Sequence, residues 1–220
     1  MRQVASQQPA PNASARDPGW LSWARRLQAL AQSGLAYTQN PFEIERYQEV
    51  AEIAAEIMAA HSDAQIDQLI ACFGNELGYA TPKVDVRGVV FRDDAILLVK
   101  ELRDGLWTLP GGWADVGDSP AEATEREVWE ESGYRVRATK LLACWDRSKH
   151  GHPPYIYHLY KLFFECELLG GSPAESIETV GARFFGEDEI PPLSLPRVTP
   201  AQIARFFEHH RHPEWPTDFD

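Results

Sequence analysis

Cysteine is scarce: the 220 residues hold three, Cys72, Cys144 and Cys166, far apart and without a CxxC pair. This excludes a disulfide framework and a cysteine-built zinc or redox centre, and predicts reduced core thiols in a cytoplasmic protein. Long apolar runs are missing too. No window approaches the ~18 residues of a membrane helix, and the opening MRQVASQQPAPNASARDPG lacks the apolar stretch of a secretion signal. A membrane partner is therefore not expected. Positive charge is in deficit, with 21 Lys and Arg against 33 Asp and Glu and a formal charge of -12. Phosphate contacts need clustered basic side chains, so nucleic acid is disfavoured as a partner, and a compact anionic substrate would need a cation to help it dock.

What is present is enough apolar content, 44%, to fill a core of one ordinary domain plus something smaller. Residues 1–18, rich in Pro, Ala, Ser and Gln without periodicity, predict a disordered tail. Trp20, Trp23, Leu27 and Leu30 then recur at helical steps, with Gly34 following as a C-terminal cap. Asn40-Pro41 opens a second helix with Ile44, Tyr47, Val50, Ala54, Ile57 and Met58 on one face. Ser62 caps a third, to about residue 74, carrying Ile66, Leu69, Ile70 and Phe73. At Thr81-Pro82 the period turns strand-like: VDVRGVVF, an Asp93-Asp94 turn and AILLVKEL read as a hairpin. The expected organisation is a small N-terminal helical domain over 19–80, a main domain over 81–212 and a C-terminal tail over 213–220. Within the main domain follow a Gly/Pro-rich loop at 109–117, a helix from 120 to about 132, and strands around 136–145, 155–167 and 182–185. A short acidic helix near Asp188 and a last helix over 200–210 close it, with His209, His210 and His212 as a polar tail. Such irregular alternation predicts an α/β fold, a mixed sheet flanked by helices.

One segment stands apart, LPGGWADVGDSPAEATEREVWEESGY over residues 109–134. Gly111 and Gly112 allow a tight turn that brings backbone carbonyls to a metal or amides to a phosphate, and Gly117 offers a second turn. Asp118 or Ser119 caps the helix, with Pro120 in its first turn and Glu122 completing a capping box; Gly133 ends it. Glu127, Glu130 and Glu131, at i, i+3 and i+4, share one face within about 6 Å. Read alone, EREVWEES would be a solvated acidic face, as most charge runs are. Three carboxylates so close repel one another, and a hard divalent cation such as Mg²⁺ relieves that repulsion. Arg126, at i+4 from Glu122 and followed by Glu130 at the same spacing, is placed to orient a carboxylate for coordination.

The segment resembles the Nudix box: Gly, five residues, Glu, seven residues, Arg-Glu, an aliphatic, one residue, Glu-Glu, one residue, Gly and an aliphatic. Gly112, Arg126, Glu127, Val128, Glu130, Glu131 and Gly133 fall in register, while Asp118 replaces the early Glu and Tyr134 the last aliphatic. Chance agreement at the six exact letters is about 10⁻⁵ over a chain of this length. The resemblance implies a Nudix-like α/β/α sandwich over roughly residues 83–210 and Mg²⁺ or Mn²⁺ as cofactor. It implies Glu127, Glu130 and Glu131 as catalytic metal ligands, the Gly111 carbonyl as a further ligand, and Glu127 as an alternative base. Gly112, Asp118 and Gly133 take structural roles. An extra acidic residue from a later loop is expected at Glu178 or Glu175, with Glu178 preferred.

The helices ahead of the box resemble the extension of bacterial ADP-ribose and CDP-choline pyrophosphatases, which implies a homodimer and a nucleotide-derived substrate. Arg103 and Trp107, with Arg147, Lys149, His150, His152 and Tyr155, lie near loops where a base or second phosphate could lodge. His150-Gly-His152 lacks a third ligand for zinc. The expected activity is metal-dependent cleavage of the phosphoanhydride of a nucleoside diphosphate linked to another group. The alternatives are a non-catalytic nucleotide-sugar sensor, which would usually have lost the box carboxylates, and a hydrolase of nucleoside triphosphates or RNA ends.

Overall fold

The computed structural model describes residues 17–220. Most of the expected tail lies outside that range, but Asp17 and Pro18 belong to the fold: Asp17 pairs with Arg25 at 2.5 Å and Pro18 precedes the first helix. Three helices come first, α1 (Gly19–Tyr37), α2 (Pro41–Ala60) and α3 (Ile66–Gly74). They enclose their own small core of Leu21, Ala24, Ala54, Ala55, Met58, Leu69 and Phe73. Asn40 caps α2 as expected, its side chain accepting from the Phe42 amide at 3.0 Å. Two local signals mislead. Gly34 does not end α1, which runs on to Tyr37; its missing Cβ is space taken by the Tyr47 ring, 2.4 Å from where a Cβ would sit. Ser62 does not cap α3, whose N-cap is Gln65; its hydroxyl turns back to the Met58 carbonyl at 2.8 Å.

The remaining chain builds β1 (Lys83–Arg92), β2 (Ala95–Glu101), β3 (Trp107–Thr108), α4 (Pro120–Ser132), β4 (Tyr134–Asp146), β5 (Leu159–Gly171), β6 (Thr179–Gly186), α5 (Pro200–Arg211) and β7 (Asp218–Phe219). The strands order as β3-β2-β1-β5-β4-β7, with β6 on β2. β1 runs parallel to β5 from Lys83 opposite Leu159 to Val90 opposite Cys166, but meets β2 only at the hairpin, Phe91 to Ile96 and Arg92 to Ala95. The sheet therefore splays on either side of β1. One face, with Val90, Leu97, Tyr134, Val136 and Cys166, packs on Val128 of α4. The other, with Val89, Leu98, Leu142, Trp145 and Phe163, packs on Ile203, Phe206 and Phe207 of α5. This is the expected mixed-sheet sandwich with helices on both sides.

Further differences have tertiary causes. The fifth strand starts at Leu159 rather than near 155, because the preceding segment docks on the helical domain: Arg25 donates to the Tyr155 carbonyl, and Tyr157 Oη lies 2.8 Å from Cys72 Sγ. Residues 213–220 are not a free tail, since β7 pairs with Ala143 and Cys144 of β4 and Asp218 binds Arg205 and His209. His209 is correspondingly buried rather than part of a polar tail. All three cysteines are free, but only Cys166 is fully in the core; Cys72 and Cys144 are half-buried. Among the described residues no helix is long and apolar enough to cross a membrane.

Candidate active site

The start of α4 is fixed locally. Ser119 Oγ accepts from the Glu122 amide at 3.3 Å and Glu122 returns the bond to the Ser119 amide at 2.9 Å, so Ser119, not Asp118, is the cap. Gly133 ends the helix at φ 76°. The glycine loop is sewn onto β1: the amides of Gly88 and Val86 donate to the carbonyls of Pro110 and Gly112 at 2.9 and 2.8 Å, and Ala114 donates to Val84 at 3.1 Å. Gly111 sits between those anchors at φ 140°, where a Cβ would fall 2.1 Å from the Val86 carbonyl oxygen. Among the described residues no hydrogen bond uses its own carbonyl, which leaves that oxygen available as a ligand.

The three glutamates divide. Glu131 is buried and points back at the loop, accepting from the Gly111 amide at 2.8 Å. Burial raises its pKa to about 8, with Glu101 and Glu127 adding to the effect and Arg87 and the Gly111 amide opposing it. Glu127 also has a raised pKa, chiefly through burial, and its Oε2 would lie 2.9 Å from a Cβ on Gly112. Glu130 is the most open. Arg126 gathers the other two with the loop acids: its guanidinium reaches Glu127 at 2.9 Å, Glu130 at 3.1 Å, Asp118 at 3.1 Å and Asp115 at 3.0 Å. Among the described residues no trio of His, Cys, Asp or Glu is placed to hold an ion as the side chains stand. The donors nevertheless suit a hard divalent cation, being all oxygen, with the buried Glu131 and the half-buried Glu127 both carrying charge that burial disfavours. Arg126 occupies the place of positive charge between Glu127 and Glu130, while Glu131 is turned to the loop.

The remaining sequence candidates scatter. Arg103 is exposed on the β2–β3 turn, where the Leu102 amide donates to the Glu178 carbonyl at 2.8 Å. Glu178 is near enough to Glu101 to help raise its pKa, behind burial as the main cause. Trp107 lies edge-on to Phe185 against the core. Arg147 is consumed by the carbonyls of Pro153 and Pro196. His150 pairs with Asp220 at 3.0 Å while His152 is buried with Nδ1 on the Leu195 carbonyl, so the two do not act as a pair. A cleft of about 800 Å³ lies between the helical domain and the β4–β5 connection, lined among others by Arg26, Lys83, Lys149 and Tyr157, but by none of the α4 glutamates.

Sequence reasoning missed the charges beneath the loop. Asp85 and Arg87 on β1 and Lys161 on β5 are buried, as is Glu101. Arg87 Nε and Nη2 grip both Asp85 oxygens at 3.0 and 2.8 Å, and Lys161 Nζ reaches Oδ1 of the same carboxylate. Those two cations outweigh burial and hold Asp85 well below the usual carboxylate range, whereas burial lowers Lys161 to about 8. The available signal was VDVRGVVF, in which Asp85 and Arg87 alternate onto the same face as Val89.

Two protein-family models match the chain. The model of the NUDIX domain matches residues 81–208. The chain belongs to the Nudix hydrolase family. A second model, described as the UDP-X-like N-terminal oligomerisation domain of Nudix proteins, matches residues 18–73. The chain is 47% identical over 201 residues to the putative ADP-ribose pyrophosphatase YjhB of Bacillus subtilis, covering 91% of this chain and 97% of that one. Among solved structures, an ADP-ribose pyrophosphatase from Streptococcus suis is 44% identical, with a TM-score of 0.59 over 64% of this chain and all of that one. A UDP-X diphosphatase is 30% identical, with a TM-score of 0.60 over 91% of this chain and 98% of the other. The last match covers most of this chain and so extends beyond the sandwich into the helical domain.

Proposed function

We propose that this Nudix hydrolase is a divalent-metal-dependent pyrophosphatase that cleaves the phosphoanhydride of a nucleoside diphosphate linked to another group, with ADP-ribose ahead of CDP-choline. The observation that carries this reading is the placement of Glu127, Glu130 and Glu131 on the one face of α4 that meets the glycine loop. The names of two similar proteins favour ADP-ribose, and the UDP-X diphosphatase keeps UDP-linked compounds in view.

The groups that would hold the cation, Mg²⁺ or Mn²⁺, are Glu127, Glu130, Glu131 and the Gly111 carbonyl. When bound, it neutralises diphosphate oxygens and steadies the leaving phosphate. Arg126 offsets the repulsion of Glu127 and Glu130 and keeps both toward the loop. Glu127 is also suited to take the proton of the attacking water, because burial has already raised its affinity for one. Glu178 and Arg103, together on the β2–β3 side, are candidates for the substrate's far end.

Phosphate release coupled to alkaline phosphatase, over ADP-ribose, CDP-choline, NADH, UDP-sugars and nucleoside triphosphates, tests the proposal. Mg²⁺-dependent turnover of a diphosphate-linked compound is expected, falling roughly 100-fold or more in Glu130→Gln. Tight binding of such a compound by the wild type with no turnover would instead indicate a sensor. The exposed apolar side chains Trp23, Leu30, Tyr37 and Phe42 on α1 and α2 support a homodimer through the helical domain. Light scattering should give twice the chain mass, and Leu30→Asp should lower it.

A further inference from the structure

We propose that Arg87 is a positioning residue for the glycine loop, locked in place by Asp85 and Lys161. The inference rests on the pyrophosphatase reading for its catalytic readout alone. Asp85 and Lys161 face each other across the parallel β1–β5 pair, and Asp85 and Arg87 lie on the same face two residues apart. All three side chains are buried, with residue exposures of 7%, 5% and 1% for Asp85, Arg87 and Lys161.

Buried ion clusters are a poor source of stability, since desolvation of each ion costs several kcal/mol and apolar replacements of similar volume are often neutral or better. What an apolar side chain could not do is hold the loop. The third arm of the Arg87 fork, Nη1, donates to the Leu109 carbonyl at 3.1 Å, two residues before Gly111. The Gly111 backbone lies directly against Arg87: a Cβ there would be 2.8 Å from Arg87 Cα and 3.0 Å from its Cδ. The Gly111 amide in turn carries the Glu131 carboxylate. Arg87 thus fixes the loop's approach to β1, and through it the spacing between the Gly111 carbonyl, Glu131 and Glu127. Lys161 keeps Asp85 from rotating away, and Asp85 holds the guanidinium plane. A guanidinium is required, because a lysine has no planar fork to satisfy both Asp85 oxygens and the Leu109 carbonyl together.

The decisive variant replaces the cluster as a unit: Asp85→Leu with Arg87→Met and Lys161→Met. Positioning predicts a folded protein whose thermal midpoint is unchanged or higher, with kcat reduced about 10- to 100-fold, KM within about threefold, and faster hydrogen exchange at the Gly111 and Ala114 amides. Wild-type kcat and exchange in that folded variant would overturn the proposal. Should the triple variant not fold, Arg87→Lys decides alone: a kcat loss of at least about tenfold with KM nearly constant is expected, and full activity with unchanged exchange refutes it. If the wild type turns over no nucleoside diphosphate compound, the functional reading fails, while amide exchange still decides whether Arg87 holds the loop.

Discussion

Adjacent glycines in the loop do different work. Gly111 is confined by backbone on two sides, the Val86 carbonyl and Arg87 Cα, and adopts φ 140°, which L side chains rarely reach. Gly111→Ala should therefore cost about 3 kcal/mol or more, through strain and a displaced loop. A drop in the urea midpoint measures it. Gly112 faces a side chain instead, the Glu127 carboxylate, whose Oε2 would be 2.9 Å from an added Cβ. A carboxylate can swing away, so Gly112→Ala should leave the midpoint nearly unchanged while lowering kcat roughly tenfold, by moving Glu127 out of its place. Equal stability losses in the two variants would contradict this division. Gly112 was legible as the first letter of the box and Gly111 as a loop glycine beside it, but which one guards backbone and which guards Glu127 depends on β1 and α4 closing on the loop from opposite sides.

Among the elements, α4 was the most legible because its determinants are local. Capping box, terminal glycine and the i, i+3, i+4 carboxylates lie within one short stretch, and the helix forms as Pro120–Ser132 with each in place. Ser119→Ala should cost about 1 kcal/mol, a shift of about 2–4 °C for a chain of this size, and leave kcat intact, because Arg126 holds Glu127 and Glu130 and the Gly111 amide holds Glu131, not the cap. Thermal melting with parallel kinetics checks both halves. Elements whose determinants are distant are misread from sequence. Gly34 looks like a helix terminator until Tyr47 of α2 is laid across it. Arg147 looks like a free phosphate ligand until the Pro196 carbonyl, 49 residues on, claims it. The short strand β7 has no pattern of its own and exists because the edge of β4 is open to it.

At the scale of the molecule, the charges that sequence reasoning passed over are those whose partners meet only through topology, as when parallel pairing brings Lys161 to Asp85 across 76 residues. Two buried groups should also leave opposing marks on stability. Burial raises Glu131 from 4.5 to about 8, so between those values the folded state holds a proton that the unfolded state has lost, and stability falls as pH rises. Burial lowers His152 from 6.5 to about 3, so between those values the unfolded state holds the extra proton, and stability rises with pH. In the overlap, about pH 4.5 to 6.5, the two contributions cancel. Above it only Glu131 remains, and it should lower stability by up to ~1.4 kcal/mol per pH unit until its folded pKa is reached. Urea unfolding in chelator, with the wild type compared against Glu131→Gln at each pH, isolates this contribution. The difference between the two proteins should change steadily from pH 4.5 to 8, in the direction of a wild type that weakens relative to the variant. A difference that is constant across that range would mean that Glu131 is ionised in the folded protein at every pH tested, with Arg87 and the Gly111 amide outweighing its burial.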